Sequence, residues 1–533
     1  MNQHLLIAPI LIPFVAGAVM LLSDDRRRVA RFWLSLASVL ALLGIAVRLL
    51  VQAKGDVPGS EAVYRLGDWA APMAITLVLD HLSAMMLLLT AVLALASLIY
   101  AKASWDRQGQ HFFPLFQFLL MGLNGAFLTG DLFNLFVFFE VMLAASYGLL
   151  LHGSGRGRVR SGLHYIAINL AASLLFLLGV SLIYGVTGTL NMAHLASIIA
   201  DVAPTDRPLL HLGLSLLGVA FLIKAGCWPL SFWLPPAYTA AAAPVGAIFA
   251  IMTKVGVYVI LRLSMLFFGA TAGASAGFGG TVLIGLGLAT TAFAILGVLG
   301  SQGMGRIAAH SIILSSGTVL AVVGFAVTGG HGWMLAGALY YLVGSTLATA
   351  ILFMLVEPAS RDDGGSAAIL ALTAEIYGAD AVRNLDETPD RLVIPAGLAV
   401  LGCCFGLGVL ALAGLPPLPG FVGKMVMIQG ALADASLSPA LTWSFIGLLL
   451  ASGLATLIAL SRIGIQTFWA SEGDAPPVMA LEIAPVILLI AMLGALSLHS
   501  EAVLRYTDRT AERLLDAPRY GPRPLPAATE VTP

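Results

Sequence analysis

Long apolar runs separated by short polar segments dominate the pattern of this chain. A helix needs about 20 apolar residues to cross the hydrocarbon core of a bilayer. The runs have that length and lack the two-residue alternation of a membrane strand. We therefore predict an all-α polytopic membrane protein with about fourteen transmembrane helices. The predicted spans are residues 3–22, 31–52, 77–101, 113–130, 132–152, 162–186, 209–233, 241–268, 278–300, 305–328, 332–356, 392–433 (interrupted), 441–463 and 478–499.

Composition agrees with this interpretation. Of the 533 residues, 59% are apolar and 10% are charged, against about 25% charged residues in an ordinary soluble domain. Mean hydropathy is +0.95. These values exclude a water-soluble globular protein, a disordered chain and a disulfide scaffold. The net charge of −1 and the lack of a basic arm exclude nucleic acid as a partner, and the 57 glycines suit close packing of membrane helices.

No motif for a metal or cofactor is present in the sequence. The three cysteines lie in apolar runs without a C-x-x-C pair, so we interpret them as small buried side chains rather than zinc or iron–sulfur ligands. The residues around Lys424 do not complete a phosphate-binding P-loop, and there is no strict dinucleotide-binding glycine motif. We therefore predict no cofactor and no metal, and expect the energy to come from ion gradients or partner subunits.

Basic residues predict how the chain lies in the membrane. With fourteen spans both termini share one side, and the loops of the opposite side hold fourteen lysines and arginines against five on the terminal side. The positive-inside rule places the richer side in the cytoplasm and both termini on the outer face of the membrane. Five arginines of the C-terminal tail weaken the asymmetry, but acidic residues accompany them.

Residues 1–500 are predicted to form one transmembrane domain. Two soluble pieces stand out from it. Residues 357–391 carry eight acidic residues and are predicted to form a cytoplasmic loop with a short surface helix near residues 367–377. The C-terminal tail, residues 501–533, is predicted to be partly disordered because residues 517–533 are rich in proline.

Four charged residues lie inside predicted spans, where a charge costs at least about 2.5–3.5 kcal/mol on insertion scales. They are Glu140 in the fifth span, Lys224 in the seventh, Lys254 in the eighth and Lys424 in the twelfth. A structural explanation is a buried ion pair, or a lysine that reaches the interface. Because Lys254 is central in its span, we favour a functional role for the set.

Proline clusters follow Lys224 and precede Lys424. Proline removes a backbone donor and breaks a helix, and irregular backbone at membrane depth is tolerated only inside protein or beside a wet cavity. Two broken spans in corresponding places indicate a transport site built from repeats. Since the spans are five apart, we predict two inverted five-helix repeats, helices 4–8 (residues 113–268) and 9–13 (residues 278–463). Packing kinks are the alternative explanation for the prolines.

Such a row suits proton or cation relay. Burial disfavours the charged forms of lysine and glutamate, and pairing Glu140 with Lys224 would oppose both effects. We hypothesise that this pairing gates transfer through Lys254 towards Lys424. His310 lies early in the tenth span beside Ser311, with two further serines one turn on, so it is a fifth candidate; a hydrogen-bonded interfacial histidine is the alternative.

Several motifs resemble the antiporter-like subunits shared by respiratory complex I and the Mrp-type multisubunit cation/proton antiporters. The resemblance covers about residues 1–500 and is specific in combination. Its motifs are GDLFNLFVFFEVM (130–142), TGTLNM (187–192), KAGCWPL (224–230), WLP (233–235), MTKVGVY (252–258) and LPPLPGFVGK (415–424). Within the family, Tyr238, His310 and residues 133–137 make the chain most similar to the D-type subunits of Mrp antiporters, whereas Ser315 or Ser316 replaces a histidine that complex I relatives often carry.

The resemblance implies fourteen helices, two inverted five-helix repeats containing broken helices 7 and 12, and essential roles for Glu140 and Lys224. It also implies assembly with other membrane subunits, transport of H⁺ and a monovalent cation (Na⁺ or K⁺), and no cofactor. The alternative is a membrane-arm subunit of a redox-driven proton pump, such as complex I or a membrane-bound hydrogenase. A structural scaffold with a vestigial charge row is a third interpretation, disfavoured by the cost of keeping four charges in the bilayer.

Overall fold

The fold is known from a computed structural model that describes residues 3–23, 27–53, 62–69, 75–330, 332–360, 397–434, 437–468 and 478–516. In this part of the chain almost every regular element is a helix. The helices are α1 (Ala8–Leu22), α2 (Arg28–Ala53), α3 (His81–Ala101), α4 (Phe112–Leu128), α5 (Leu132–Leu151), α6 (Arg156–Thr187), α7 (Met192–Ile198), α8 (Arg207–Lys224), α9 (Leu234–Ala240), α10 (Ala243–Phe268), α11 (Gly280–Gly300), α12 (Met304–Val327), α13 (Gly332–Ser360), α14 (Gly397–Ala413), α15 (Pro419–Ala433), α16 (Pro439–Phe468), α17 (Ala480–Leu498) and α18 (Ser500–Leu515).

The all-α membrane architecture is confirmed. Eleven helices in the described ranges are long and apolar enough to cross a membrane. Every predicted span overlaps a helix, but α1, α4 and α14 are shorter than a full span and the twelfth span is divided between α14 and α15. The total of fourteen crossings, the inverted repeats and the orientation of the termini therefore stay predictions.

The seventh predicted span, residues 209–233, is broken after Lys224, as its prolines predicted. Helix α8 ends at Lys224, and the chain turns through Gly226, whose φ is +69°, before α9 begins at Leu234. The break occurs because three prolines follow within twelve residues. The apolar character of the segment continues through the break, so hydropathy alone overestimated the length of the helix.

Helices α10, α12 and α13 form the centre of the molecule. Nearly all of their residues are buried, whereas only about a third of the residues of α2, α6, α11 and α17 are. Large apolar side chains cover those outer faces, as expected where helices meet lipid or another membrane subunit. A side chain at the middle of α10 is therefore as far from bulk water as this fold allows.

Two elements of the connecting segments were not predicted. Strands β1 (Ala62–Arg65) and β2 (Thr76–Leu79) pair antiparallel between α2 and α3, and β2 also meets the segment between α4 and α5, where the Gly130 amide donates to the Thr76 carbonyl. In the tail, residues 500–515 form α18, which packs on α13 and α3. The tail is thus ordered as far as that helix, while the predicted surface helix (367–377), most of the acidic loop and residues 517–533 lie outside the described residues.

Glycines allow α11 and α12 to pack at backbone distance, as the abundance of glycine predicted. A Cβ atom built on Gly324 of α12 would lie 2.6 Å from the backbone nitrogen of Ile284, and one on Gly317 would lie 2.8 Å from that of Thr291. Both distances are below ordinary contact, so a side chain at either position would push the helices apart. This contact also fixes the axial position of α12, which carries partners of Lys254.

We predict that Gly324→Ala destabilises the protein, because its methyl group would meet the backbone of α11. Overpacking of this kind costs about 1–3 kcal/mol. The matched control is Gly285→Ala on α11, where a Cβ meets nothing within 4 Å. The melting temperature of the purified protein should fall for Gly324→Ala and not for Gly285→Ala, and equal values would contradict the packing argument.

Candidate functional site

The three lysines of the candidate site are buried in the protein interior. Lys224, Lys254 and Lys424 have 6%, 1% and 7% of their surface exposed. Each ammonium group donates to oxygen atoms of neutral groups rather than to a carboxylate within 4 Å, as far as the structure describes the chain. Their charges are therefore balanced by hydrogen bonds and dipoles rather than by a directly bonded carboxylate.

Lys224 is the last residue of α8, at the point where the helix breaks. Its Nζ donates to Oδ1 of Asn169 at 2.8 Å and lies 4.5 Å from the centre of the Phe139 ring. A helix C-terminus carries a partial negative charge that stabilises a cation. The break is anchored on its far side, because the amide of Trp228 donates to the hydroxyl of Thr290 on α11.

The ammonium group of Lys424 also lies at the C-terminal end of a half-helix, although Lys424 itself belongs to the second half of its broken helix. It lies on α15, but its Nζ donates to the carbonyl of Ala413, the last residue of α14, at 3.2 Å, and to Ser452 at 3.2 Å. Glycines make this possible, since a Cβ atom on Gly453 would lie 3.1 Å from the ammonium nitrogen and 2.5 Å from the Ala413 carbonyl oxygen. Both broken helices thus bring an ammonium group to the C-terminal end of their first half.

Lys254 occupies the middle of α10 and faces α12. Its Nζ donates to the hydroxyl groups of Ser315 and Ser316 and lies 3.5 Å from the Ile312 carbonyl. On the neighbouring turn, Thr253 meets the phenol of Tyr238 at 2.6 Å, which ties α9 to α10. Ser315 and Ser316, the two serines noted one turn after His310, therefore contact Lys254 directly.

The predicted pairing of Glu140 with Lys224 is wrong in its direct form. Within the described residues the two groups do not come within 4 Å, and each bonds instead to a neutral side chain of α6. Ser173 donates to the Glu140 carboxylate, and Asn169, one turn earlier, accepts from Lys224. The two groups are still near each other, because the ring of Phe139, the neighbour of Glu140, contacts the Lys224 ammonium group.

The structure does not bring His310 to the lysines. Its Nδ1 lies 2.9 Å from the Arg306 carbonyl of its own helix and 3.4 Å from the hydroxyl of Ser301, and its ring is half-exposed against α11 at Gly297. Ser311 bonds only within α12. The serines one turn after His310 therefore contact Lys254, whereas His310 itself packs near the C-terminal end of α11.

Asp131 is the N-cap of α5. Its carboxylate accepts from the backbone amide of Asn134 at 2.8 Å. Burial raises the pKa of this carboxyl above its ordinary value, although that hydrogen bond opposes the shift. Asp131 fixes the start of the helix that carries Glu140, two and a half turns further on.

Sequence reasoning missed the neutral members of the site. Asn169 and Ser173 on α6 are spaced four residues apart, so they share a helix face; Ser452 on α16 completes the partners of Lys424. In the sequence they are one amide and two hydroxyl side chains within apolar helices. A search for charged residues does not find them. The described residues hold no group of three or more histidine, cysteine or acidic side chains that could bind a metal ion.

Comparison with known proteins gives one consistent result. Residues 129–451 match the family model described as "NADH:quinone oxidoreductase/Mrp antiporter, TM". A Rhizobium meliloti protein, named as the probable D subunit of a K⁺/H⁺ antiporter, is 53% identical over 97% of this chain and 99% of its own length. The D subunit of a Na⁺/H⁺ antiporter from Alkalihalophilus pseudofirmus is 33% identical over 97% and 98%. A chain of the Mrp complex from Dietzia has a TM-score of 0.79 at 26% identity, with 97% and 99% covered.

We predict that Asn169→Leu destabilises the protein by about 1–3 kcal/mol, because it deprives Lys224 of its closest acceptor. Adding Lys224→Met should recover most of that loss, since removing both partners leaves no buried group unsatisfied. Melting temperatures of the two single variants and the double variant form the required cycle. Additive losses would show that Asn169 and Lys224 do not interact.

Proposed function

The chain belongs to the transmembrane family of NADH:quinone oxidoreductases and Mrp antiporters, and we propose that it is the D-type subunit of a multisubunit monovalent cation/proton antiporter. In this role it is a transporter component rather than an enzyme. It assembles with other membrane subunits in a bacterial cell membrane and exchanges H⁺ against Na⁺ or K⁺. The relatives named as antiporter subunits cover nearly the whole chain, and this supports the assignment.

The observation that carries the mechanism is the series of buried lysines with neutral partners. We propose that protons pass along Glu140, Lys224, Lys254 and Lys424, which we call the relay. A lysine held by hydroxyl groups, amide oxygens and helix ends binds its proton less firmly than one paired with a carboxylate, so a change of charge at one member alters proton binding at the next. His310 faces away from the lysines, and its position favours a role at the helix end.

Glu140 has a distinct place in this proposal because it bonds to Ser173 of α6 rather than to Lys224. Protonation of Glu140 removes a negative charge near Lys224, which weakens the hold of that lysine on its own proton. Asn169 and Ser173 keep the two charges apart, so they interact without locking into an ion pair. In this proposal Glu140 and Lys224 are coupled electrostatically, without a salt bridge that opens and closes.

The broken helices support the predicted inverted repeats as a further part of the proposal. In both, a glycine with positive φ follows the first half-helix closely, and an ammonium group lies at the C-terminal end of that half. We also keep the outward orientation of the termini as a proposal, on the distribution of basic residues.

The alternative function is a subunit of a redox-driven proton pump, because the same family model covers NADH:quinone oxidoreductases. We predict that the native complex, purified from its own membrane, contains small membrane subunits and no flavin or iron–sulfur absorbance. Mass spectrometry and visible spectroscopy measure both. Peripheral redox subunits bound to this chain would replace the antiporter assignment by the alternative.

We predict that Lys224→Ala and Glu140→Gln each abolish cation/proton exchange in membrane vesicles while the complex still assembles. The reason is that each removes the titratable group from one member of the relay. Lys102→Ala is the matched control, because that lysine is partly exposed at the end of α3 and pairs with Asp106 within one helical turn. Full exchange by the Lys224→Ala complex would refute the relay.

A further inference from the structure

A buried ion pair that the relay does not use lies near the C-terminal end of α10. Arg262, six residues before the end of that helix, holds Asp80 with both guanidinium nitrogens, one of them 2.9 Å from Oδ1. The side chains are 4% and 11% exposed. Asp80 also caps α3, accepting from the backbone amide of Ser83 at 2.8 Å. Removing both charges from water is costly, so the pair needs an explanation.

The ion pair is connected to Lys254 by the periodicity of α10. Tyr258 follows Lys254 by one turn and Arg262 follows Tyr258 by another, so each step advances about 6 Å along the axis and about 40° around it. The Tyr258 hydroxyl accepts from Arg262 at 2.9 Å and donates to the carbonyl of Phe127 on α4 at 2.7 Å. Tyr258 thus lies between the middle of the membrane domain and the ion pair.

On its other side the ion pair adjoins the surface helix α18. Tyr506 of α18 donates to the His81 carbonyl at 2.8 Å, and Arg513 donates to Nδ1 of the His81 ring at 3.0 Å. His81 is the neighbour of Asp80 in the chain. The opposite face of α18 is exposed, with Glu501 and Arg505 forming a pair in the open. The ion pair therefore lies between Tyr258 and the face that carries α18.

We propose that the Asp80–Arg262 ion pair is a gate between Lys254 and the aqueous face that carries α18, with Tyr258 as the hydroxyl step behind it. This inference rests on the proposed proton-translocating function. It adds a route by which a central lysine exchanges protons with one side of the membrane. The charge distribution predicts that this side is the outer one.

The chemistry of the pair favours a gate over a simple anchor. Arginine does not lose its proton in proteins, so Arg262 places a permanent positive charge that opposes a proton moving along α10. Asp80 can remove this barrier. When the Asp80 carboxylate takes a proton from the aqueous face, its hydrogen bonds to Arg262 weaken, and the resulting carboxylic acid can donate a proton.

An inward proton crosses the gate in a series of transfers. Asp80 gives its proton to the Tyr258 oxygen, and the Tyr258 hydroxyl releases its own proton through a water molecule to the neutral amine of Lys254, which becomes an ammonium ion. Asp80 is again a carboxylate and closes on Arg262. Release to the same face runs through the same steps in reverse.

The first test is Tyr258→Phe, which removes the hydroxyl and keeps the ring packed on Phe127. The matched control is Tyr340→Phe, because Tyr340 is also buried and donates to a backbone carbonyl, that of Leu496, at 2.9 Å. With the whole complex in liposomes, exchange should fall about tenfold or more in Tyr258→Phe, the scale of a lost proton-transfer group, and stay close to wild type in Tyr340→Phe. Equal exchange in the two variants would overturn the hydroxyl step.

The second test is the double variant Asp80→Asn/Arg262→Gln. It keeps a neutral hydrogen-bonded pair, so no lone charge is left buried. The readout is passive proton entry after a pH jump in choline buffer without Na⁺ or K⁺. Entry should rise several-fold over wild type if the permanent charge of Arg262 is what closes the path, because water beside the two amides can then carry protons without the Asp80 carboxyl. An anchor would only lower the melting temperature. An assembled double variant as tight as wild type would overturn the gate.

These readouts separate the gate from the proposed function. If the wild-type complex exchanges no cation for protons, the antiporter proposal fails, while the leak of the double variant still reports on the gate. If wild type exchanges and Tyr258→Phe does too, only the gate route fails. Should the double variant not assemble, Arg262→Lys keeps the positive charge but loses the two-pronged hold on Asp80; it too should leak, and a tight complex would overturn the gate.

Discussion

The constraint on which this structure depends is that an ammonium group inside a membrane must find oxygen atoms. Three lysines meet it without a carboxylate partner within the described part of the chain, and they do so with few kinds of acceptor: serine hydroxyls, an asparagine side chain and backbone carbonyls. A continuous helix has no free carbonyls in its interior. Separating α14 from α15 frees the Ala413 carbonyl for Lys424, and ending α8 at Lys224 places that ammonium group at a helix C-terminus, so the irregular backbone helps to hold both cations.

The packing of the helices follows from the same need. A lysine can reach across a break only if no side chain occupies the space between the two half-helices, and Gly414 and Gly453 leave that space around Lys424. The serines that serve Lys254 lie on α12, whose position is fixed by backbone contact with α11. Burial of α10, α12 and α13 then keeps water away from these hydrogen bonds, which strengthens them.

The sequence predicted the helices, the broken segments and the positions of the lysines, because apolar runs, prolines and buried charges are strong local signals. It did not predict that Glu140 and Lys224 would each bond to α6 instead of to each other, because whether two side chains on different helices touch depends on how the helices rotate against each other. Asn169 and Ser173 were missed since a neutral side chain in a span has a small cost and a weak signal. The serines near His310 were recognised, but the helix turns them and the histidine to different neighbours.

The fold buries cations in two ways, with a carboxylate partner or with neutral partners, and the two ways differ in their consequences. Arg262 is paired with a carboxylate and has a permanent charge, so its surroundings favour one state. The lysines have neutral partners, so the charged and uncharged forms are closer in free energy. At an effective dielectric constant of about 20, a unit charge about 10 Å away contributes about 1.7 kcal/mol, more than tenfold in an equilibrium constant. Such a neighbour would therefore shift the proton on a lysine of the proposed relay, while the proposed gate at the end of α10 would open only when its carboxylate is neutralised.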